Sequence, residues 1–411
     1  MTITSLSWDL PTTDDRRALL DRPWPRATAG EIARRRAAVA DVAAAHDADL
    51  VLVYGADRAG SGVPWLTSWS VTREAALLLD LRSGEADLFI QFHNHAPLAS
   101  ELAQDCRVHW GGPVTVERVV EELARRGGAD RRLGVIGPVT VPVHRALAAA
   151  VAGVVPLGKD YTRLRLVKSP EELDLLAAGA YLSDLAALAL RDGVAVGTTD
   201  HQMADLVERA YVPLGGTTHI HYFGITSMTD PDRGAPAQVT TGRRLDRGDV
   251  LVTELSAAIE GYSGQVLRSM TLDDALAPLY AELHAVADAA FDAVCAAIRP
   301  GASAADAVAA SAVIEEAGYT IVDDLVHGFG GGYLPPVLGT ASRPAGPVPD
   351  LVFEAGMTVV VQPNVTTLDH RAGVQTGELV VVTDDGAVSL HDVPRGPWLG
   401  VGGGPAAGRA G

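Results

Sequence analysis

Two ionisable side chains in the second half of the chain stand in unusual surroundings. Glu254 interrupts an otherwise apolar run, and His327 precedes a glycine-rich segment, residues 328–332. A buried carboxylate without a partner is costly, and Arg268 is a candidate partner for it. Histidines in glycine-rich loops are typical of functional sites. A carboxylate and an imidazole in a concave, partly dry site have shifted pKa values and can act as base and acid.

We therefore predict that Glu254, His327 and Arg268 are catalytic. Glu254 would activate water or take a proton, and His327 would pass that proton to a leaving nitrogen. Arg268 would orient Glu254 or pair with a substrate carboxylate. The structural alternatives are a hydrogen-bonding role for His327 and an ion pair between Glu254 and Arg268.

Further residues are candidates for contact with a substrate. His219 and His221 lie on one predicted strand, where alternate side chains share a face, so the sequence predicts that one of them enters the pocket. Tyr333 follows the glycine-rich segment and is predicted to line the mouth of the pocket. Which of the two histidines faces the substrate stays open at this point.

The elements that position these residues fall into two domains. Strands alternating with helices over residues 28–165 predict an α/β domain. Ser169, Pro170 and Glu172 form a strong helix start, which begins the second, α+β domain. We divide the chain into an irregular N-terminal lead and these two domains, followed by a Gly/Ala-rich tail that we expect to be disordered. The predicted bounds are 1–27, 28–165, 166–395 and 396–411.

Composition limits the class of partner. The 411 residues are 47% hydrophobic and 20% charged, with a net charge of -18, as expected of a soluble globular protein. Negative charge of this size repels nucleic acid and anionic membranes. Two distant cysteines imply no disulfide framework, and we found neither a leader-like start nor an apolar stretch of about 20 residues. We predict a cytoplasmic protein that acts on a small molecule, with no nucleic-acid or membrane partner.

The spacing of Gly248, Glu254 and Gln265 resembles the aminopeptidase P, prolidase and creatinase family. The segment 327–332 is similar to that family's His-Gly-x-Gly signature, and residues 165–172 resemble the junction before its catalytic domain. The resemblance covers nearly the whole chain. It implies an α+β pita-bread C-terminal domain preceded by a creatinase-type α/β N-terminal domain. It also implies a homodimer, because the family's N-terminal domain commonly covers the neighbouring subunit's active site.

The resemblance brings five metal-ligand positions, which in the dinuclear members hold Asp, Asp, His, Glu and Glu. In this sequence they fall on Glu254, Gln265, His327, Gln362 and Gly377. Divalent cations need anionic oxygen ligands, which two amides and a glycine do not supply. Glu378 is one residue away from the last position, and on a strand it would point to the opposite face. We predict no metal and no other cofactor, with a single divalent ion on Glu254 and His327 as the alternative.

Gln265, Gln362 and Glu378 are then candidates for substrate binding rather than metal binding. In the N-terminal domain, Trp65 lies in a segment similar to a family element, and His95 lies in a His-Asn-His sequence. Either of these two could reach a substrate. Their structural alternatives are packing for Trp65 and a polar turn for His95.

Creatinase is the metal-free precedent that the resemblance provides, since it hydrolyses a C–N bond in a small guanidino compound with a histidine and carboxylates. This chain departs from it, because residues 231–238, where that histidine would fall, contain none. The predicted function is a metal-independent, creatinase-like hydrolase of a small amide, amidine or amino-acid derivative. The alternatives are a lyase or isomerase with the same acid–base pair, a non-catalytic binding protein, and a Xaa-Pro metallopeptidase.

Overall fold

The computed structural model describes residues 6–57 and 59–402. The chain forms two compact units, with the break between Arg165 and Leu166. The second unit also includes residues 6–21. This part of the lead that we expected to be irregular contains a helix, α1 (Thr13–Leu20), capped by the side chain of Thr12.

The N-terminal unit, Arg22–Arg165, is built on a six-stranded mixed sheet. Its helices are α2 (Ala29–Ala45), α3 (Gly62–Thr67), α4 (Ala96–Leu102), α5 (Thr115–Arg125), α6 (Val141–Ala150) and α7 (Gly158–Leu164). Its strands are β1 (Leu50–Ala56), β2 (Glu74–Asp80), β3 (Glu85–Ile90), β4 (Arg107–Trp110), β5 (Arg132–Ile136) and β6 (Gly153–Pro156). The order is β4-β3-β2-β1-β5-β6. The apolar strand β1 lies inside the sheet, antiparallel to β2 and parallel to β5, so its continuous hydrophobic run is buried on both faces.

The C-terminal unit is built on a nine-stranded antiparallel sheet. Its other helices are α8 (Pro170–Gly193), α9 (Asp200–Tyr211), α10 (Pro278–Ala297), α11 (Ala304–Ala310) and α12 (Val313–Glu316). Its strands are β7 (Thr217–Ser227), β8 (Asp249–Ile259), β9 (Tyr262–Ser263), β10 (Val266–Met270), β11 (Thr320–Ile321), β12 (Val326–Phe329), β13 (Tyr333–Leu338), β14 (Thr358–Val361), β15 (Val365–Thr366), β16 (Gly377–Thr383) and β17 (Gly386–Ser389). The sheet order is β13-β12-β14-β16-β10-β8-β7, with β17 on β16 and β9 on β8, while β11 and β15 form a separate pair.

Helix α8 packs closely against the turn that leads into β10. A Cβ on Gly179 would lie 2.6 Å from the Tyr262 carbonyl oxygen, and one on Gly264 would lie 2.2 Å from Ala180 Cα. Only glycine tolerates such an approach of two backbones. The contact fixes the turn immediately before Gln265.

Helix α8 also corrects the expectation that the chain contains no apolar stretch of about 20 residues. Among the described residues it is the one helix long and apolar enough to cross a membrane, but 78% of its apolar window is buried inside the protein. It is the core helix of the C-terminal unit, starting at a capping box between Ser169 and Glu172.

The expected disordered tail is also partly wrong. Trp398 is buried and bridges to Met270 at the end of β10, so the chain is ordered beyond residue 395. The rest of that predicted tail, residues 403–411, lies outside the described residues.

Candidate active site

A cavity of about 400 Å³ opens within the C-terminal unit. Strands β7, β8, β12 and β13 supply most of its walls, together with the turn before β10 and two short connecting segments. Its lining residues are His219, Ile220, Tyr222, Ala235, Pro236, Gln238, Glu254, Gln265, Val322, Asp323, His327, Phe329 and Tyr333. The cavity therefore brings together Glu254, Gln265, His327, His219 and Tyr333 from the predicted site.

Strand register explains why distant positions face the same cavity. Tyr222 lies opposite Glu254 across β7 and β8, Glu254 opposite Leu267 across β8 and β10, and Leu267 opposite Gly377 across β10 and β16. Directly opposed residues of antiparallel strands project to the same face. Gln265, two residues before Leu267, shares that face.

Two glutamine amides connect Glu254 to the strand end beyond β14. Gln265 Nε2 donates to Glu254 Oε1 at 2.7 Å and to Gln362 Oε1 at 3.1 Å. Gln362 Nε2 in turn donates to the Asp324 carbonyl oxygen at 3.2 Å. All three side chains of this amide bridge are buried. The bridge orients Glu254, while Gln362 lies behind the cavity wall rather than in it.

The surroundings of Glu254 favour its protonated form. Burial, reinforced by the negative charges of Asp323 and Asp324, raises the pKa of the Glu254 carboxyl to about 8. Glu254 is 7% exposed. At neutral pH its carboxyl group therefore holds a proton that it can donate.

The surroundings of His327 favour its neutral form. Burial lowers the pKa of the imidazole to about 4, against hydrogen bonds to the Gly328 carbonyl and the Gln362 amide. The ring stacks on Tyr333 with 4.3 Å between centroids, and the Tyr333 hydroxyl donates to Asp324. At neutral pH His327 is uncharged, so one of its ring nitrogens can accept a proton.

The residues present do not fit the paired metal ions that the resemblance implies. Over residues 6–57 and 59–402, no three His, Cys, Asp or Glu side chains are grouped to hold a metal ion. Gln265 and Gln362 present neutral amides that already bond each other. At Gly377 a Cβ would lie 2.8 Å from the Val361 carbonyl oxygen and 2.9 Å from Gln362 Cα, so even the first atom of a ligating side chain has no room.

The structure places Arg268 away from the cavity that holds Glu254 and His327, against the catalytic role predicted for it. Its side chain is fully buried, does not line the cavity, and pairs with Glu378. It also donates to the carbonyl oxygens of Leu267, Gly377, Val393 and Pro394. Arg268 lies one residue out of phase with Leu267 and so projects to the opposite face of β10. It neither orients Glu254 nor remains available for a substrate carboxylate.

Glu378, predicted to contact substrate, likewise does not line the cavity. It lies opposite Val266 and Val361, on the face away from Glu254, and its carboxylate is held by Arg268 in the interior. The orientation predicted for a residue one position beyond Gly377 is thereby confirmed. The sequence-based proposal that it contacts substrate is not.

The two histidines on β7 do not share a face. A β-bulge between Thr218 and Ile220 breaks the alternation of side chains at His219. His219 lines the cavity. His221 instead hydrogen bonds to the Tyr211 hydroxyl at 2.7 Å, so the candidate that enters the cavity is His219.

Trp65 and His95 belong to the N-terminal unit. Trp65 is buried in that unit's core, edge-on to Tyr161 and beneath the Arg35 guanidinium, which supports the packing role. His95 is half-buried and lies near the Thr72 hydroxyl. A substrate contact by His95 stays a prediction.

Among the cavity residues that sequence reasoning missed, Tyr222 and Asp323 carry the polar groups closest to the predicted site in function. Tyr222 faces it because the bulge at His219 shifts the alternation along β7. Asp323 stands at its rim, with Asp324 bonded to Tyr333 behind it. Two adjacent aspartates before the apolar start of β12 were the available signal for the second of these.

Comparison with known proteins identifies the fold. A model of metallopeptidase family M24 matches residues 174–384. The crystal structure of the dipeptidase PepE from Mycobacterium ulcerans superposes with a TM-score of 0.74 at 24% identity, covering 91% of this chain and 99% of that one. The predicted fold is thereby confirmed: a pita-bread domain preceded by an N-terminal α/β domain.

Two curated relatives cover less of the chain. The probable dipeptidase PepE of Mycobacterium tuberculosis is 29% identical over 260 residues, 62% of this chain and 66% of that protein. The chain thus matches slightly under two thirds of that relative's length. A creatinase from Bacillus sp. is 24% identical over 299 residues, 68% of this chain and 71% of that protein.

Proposed function

The chain belongs to metallopeptidase family M24, and we propose that it is a metal-independent hydrolase of this family. The proposed reaction is the hydrolysis of a C–N bond in a small amide, amidine or amino-acid derivative. One observation carries the proposal: Glu254 and His327 line the same cavity, and their surroundings favour a protonated carboxyl group and a neutral imidazole.

These protonation states reverse the roles expected from the sequence. His327 takes a proton from water as the water oxygen attacks the substrate carbon. Glu254 gives its proton to the nitrogen as the C–N bond breaks, so the amine leaves neutral. Transfer of the proton from the imidazolium to the Glu254 carboxylate, directly or through solvent, restores both groups. A base with a pKa near 4 is weak, so the cavity must supply much of the rate by positioning.

Each remaining cavity residue has a supporting task. Gln265 holds Glu254 Oε1 and so fixes the direction of the acidic proton. Tyr333 covers one face of the His327 ring and restricts its rotation. His219 and Tyr222 form the wall on the β7 side. Side chains held in one geometry lower the reorganisation needed at the transition state.

Metal independence rests on the donor set. In the dinuclear members of the family, the resemblance implies carboxylate ligands at the positions where this chain has Gln265, Gln362 and Gly377. Neutral amides do not balance the charge of paired divalent cations. The test is metal analysis of the purified protein together with amine release from a panel of small amides and amidines, before and after chelation. Activity lost to the chelator and restored by Mn²⁺, Co²⁺ or Zn²⁺ would refute metal independence.

The acid–base pair is tested on any substrate from the same panel. We expect Glu254→Gln and His327→Ala each to lower kcat by about 10²- to 10⁴-fold, with Glu316→Gln as an exposed, matched control at wild-type activity. The kcat/KM profile should fall below pH about 4 as His327 gains a proton, and above pH about 8 as Glu254 loses one. Full activity in both active-site variants contradicts the mechanism.

A metal-dependent dipeptidase is the second candidate, favoured by the similarity to the PepE proteins. The same chelation experiment with a dipeptide panel separates the two. Stoichiometric metal with dipeptide cleavage supports this candidate, whereas metal-free turnover supports the first.

A further inference from the structure

The cavity wall carries acidic side chains and no cationic one. Asp323 lines it together with Glu254, which is protonated at neutral pH, and no Lys or Arg is found among its described lining residues. Asp324 lies close enough for its charge, together with that of Asp323, to act on Glu254. The negative field therefore has no cationic counterpart on the cavity wall.

Arg343 lies beside these aspartates and does not line the cavity. Its Nη1 lies 3.8 Å from Asp324 Oδ1 and donates to the Asp323 carbonyl oxygen at 3.3 Å. It partly offsets Asp324 from behind the wall. Among the described residues, the Asp323 carboxylate accepts a hydrogen bond from the Asp324 amide alone, through Oδ1, which leaves its other oxygen available at the rim.

Glu254 provides an independent indication of a ligand. It is 7% exposed and lines the cavity. One carboxyl oxygen accepts from Gln265, and the other has no hydrogen-bond partner within the described part of the chain. A carboxyl oxygen that has no protein partner, on a side chain that lines a cavity, is expected to bond to what occupies that cavity.

The remaining walls suit a flat, positively charged group. Tyr222, Phe329 and Tyr333 present aromatic rings to the cavity, with the imidazoles of His219 and His327 between them. Aromatic faces attract organic cations, and carboxylates bond the N–H edges of an amidinium or guanidinium group. A substrate carboxylate would meet neither a guanidinium nor an ammonium group here and would be repelled by Asp323.

We infer that the substrate of this site is a small amidinium or guanidinium cation that carries no carboxylate near its charged end. The inference rests on the proposed function, since it names the substrate class of the same cavity. Asp323 is its specificity-determining residue, which attracts the cation at the rim, while Glu254 faces the bond to be cleaved.

The test is binding, measured by ligand-detected NMR titration at neutral pH, with three matched probes. Propylguanidine carries the cation, propylurea is its neutral counterpart, and 3-guanidinopropionate adds a carboxylate. We expect propylguanidine to bind about tenfold or more tightly than each of the other two. Equal or tighter binding of propylurea or 3-guanidinopropionate, or no binding of any probe, overturns the inference.

Asp323→Asn isolates the rim charge. Asparagine keeps the Oδ1 acceptor for the Asp324 amide, so the local turn is preserved. We expect this variant to weaken propylguanidine binding about three- to tenfold and to leave propylurea unchanged. Asp350→Asn, at an exposed aspartate that does not line the cavity, should change neither affinity. An unchanged propylguanidine affinity in Asp323→Asn would refute the assignment of Asp323.

Binding without turnover separates this inference from the proposed function. If the order of affinities holds but no probe or analogue is hydrolysed, only the hydrolase proposal fails. If a neutral or carboxylate-bearing amide is hydrolysed through Glu254 and His327 and the order of affinities is absent, only the substrate class fails.

Discussion

Substitution of Glu254 by glutamine should change how the stability of the protein depends on pH. The folded-state pKa of Glu254 is raised from 4.5 to about 8. Between these values the folded protein keeps a proton that the unfolded chain has released, so unfolding liberates a proton. The free energy of unfolding therefore falls as pH rises, by up to about 1.4 kcal/mol per pH unit from this residue. Glu254→Gln cannot ionise at this position and lacks this contribution.

The magnitude follows from the two pKa values. Across pH 5 to 8 the wild-type protein should lose up to about 3.5 kcal/mol relative to Glu254→Gln. Below pH 4.5 both states hold the proton and the difference becomes constant. Other titrating groups are shared by the two proteins, so most of their contributions cancel in the comparison.

The measurement is urea unfolding followed by circular dichroism at pH 5, 6, 7 and 8, for wild type, Glu254→Gln and Glu316→Gln. Glu316 lies exposed on α12, and its variant should follow the wild-type slope. A difference between wild type and Glu254→Gln that stays constant from pH 5 to 8 would show that Glu254 ionises like an exposed carboxyl. The assignment of Glu254 as a proton donor at neutral pH would then fail.

Two predictions concern residues outside the cavity. Arg268→Met leaves Glu378 buried and unpaired, so we expect a loss of about 3–5 kcal/mol in urea unfolding, partly recovered in the Arg268→Met/Glu378→Met double variant. Turnover per folded molecule of Arg268→Met should stay at the wild-type level. If this variant is stable but inactive, Arg268 takes part in catalysis after all. Gly377→Ala should cost about 1–3 kcal/mol, because its Cβ meets backbone at 2.8 Å. Gly153→Ala, whose Cβ has only Arg132 Cγ at 3.9 Å, is the matched control, and equal stability of the two variants would contradict the close approach at Gly377.

Local signals predicted much of the fold. The capping box at Ser169 depends on a few neighbouring residues, and helix α8 begins where expected. Three of the ligand positions taken from the family resemblance, Glu254, Gln265 and His327, also line one cavity, because strand register brings them together.

The errors arose where a long-range partner or a local irregularity decides the side-chain direction. Arg268 on β10 forms an ion pair with Glu378 on β16, and no short segment of sequence reveals this pairing. His221 turns away because a single bulge residue at His219 shifts the alternation. A period-2 pattern predicts the face of a strand residue only while the ladder is regular.

The substitutions in the cavity depend on one another. In a cavity without a metal ion, a carboxylate in place of Gln265 would add an anion beside Glu254 and Asp323, with no cation on the wall to balance it. The neutral amide of Gln265 instead donates a hydrogen bond to Glu254 and adds no charge to the cavity. The amide at Gln362 completes the bridge, and Gly377 closes the remaining ligand position with backbone. Without anions at these three positions, paired divalent cations would lack the ligands that balance their charge. Burial keeps the carboxyl group of Glu254 protonated in the same cavity, which is the form that the proposed proton donation to a leaving nitrogen requires.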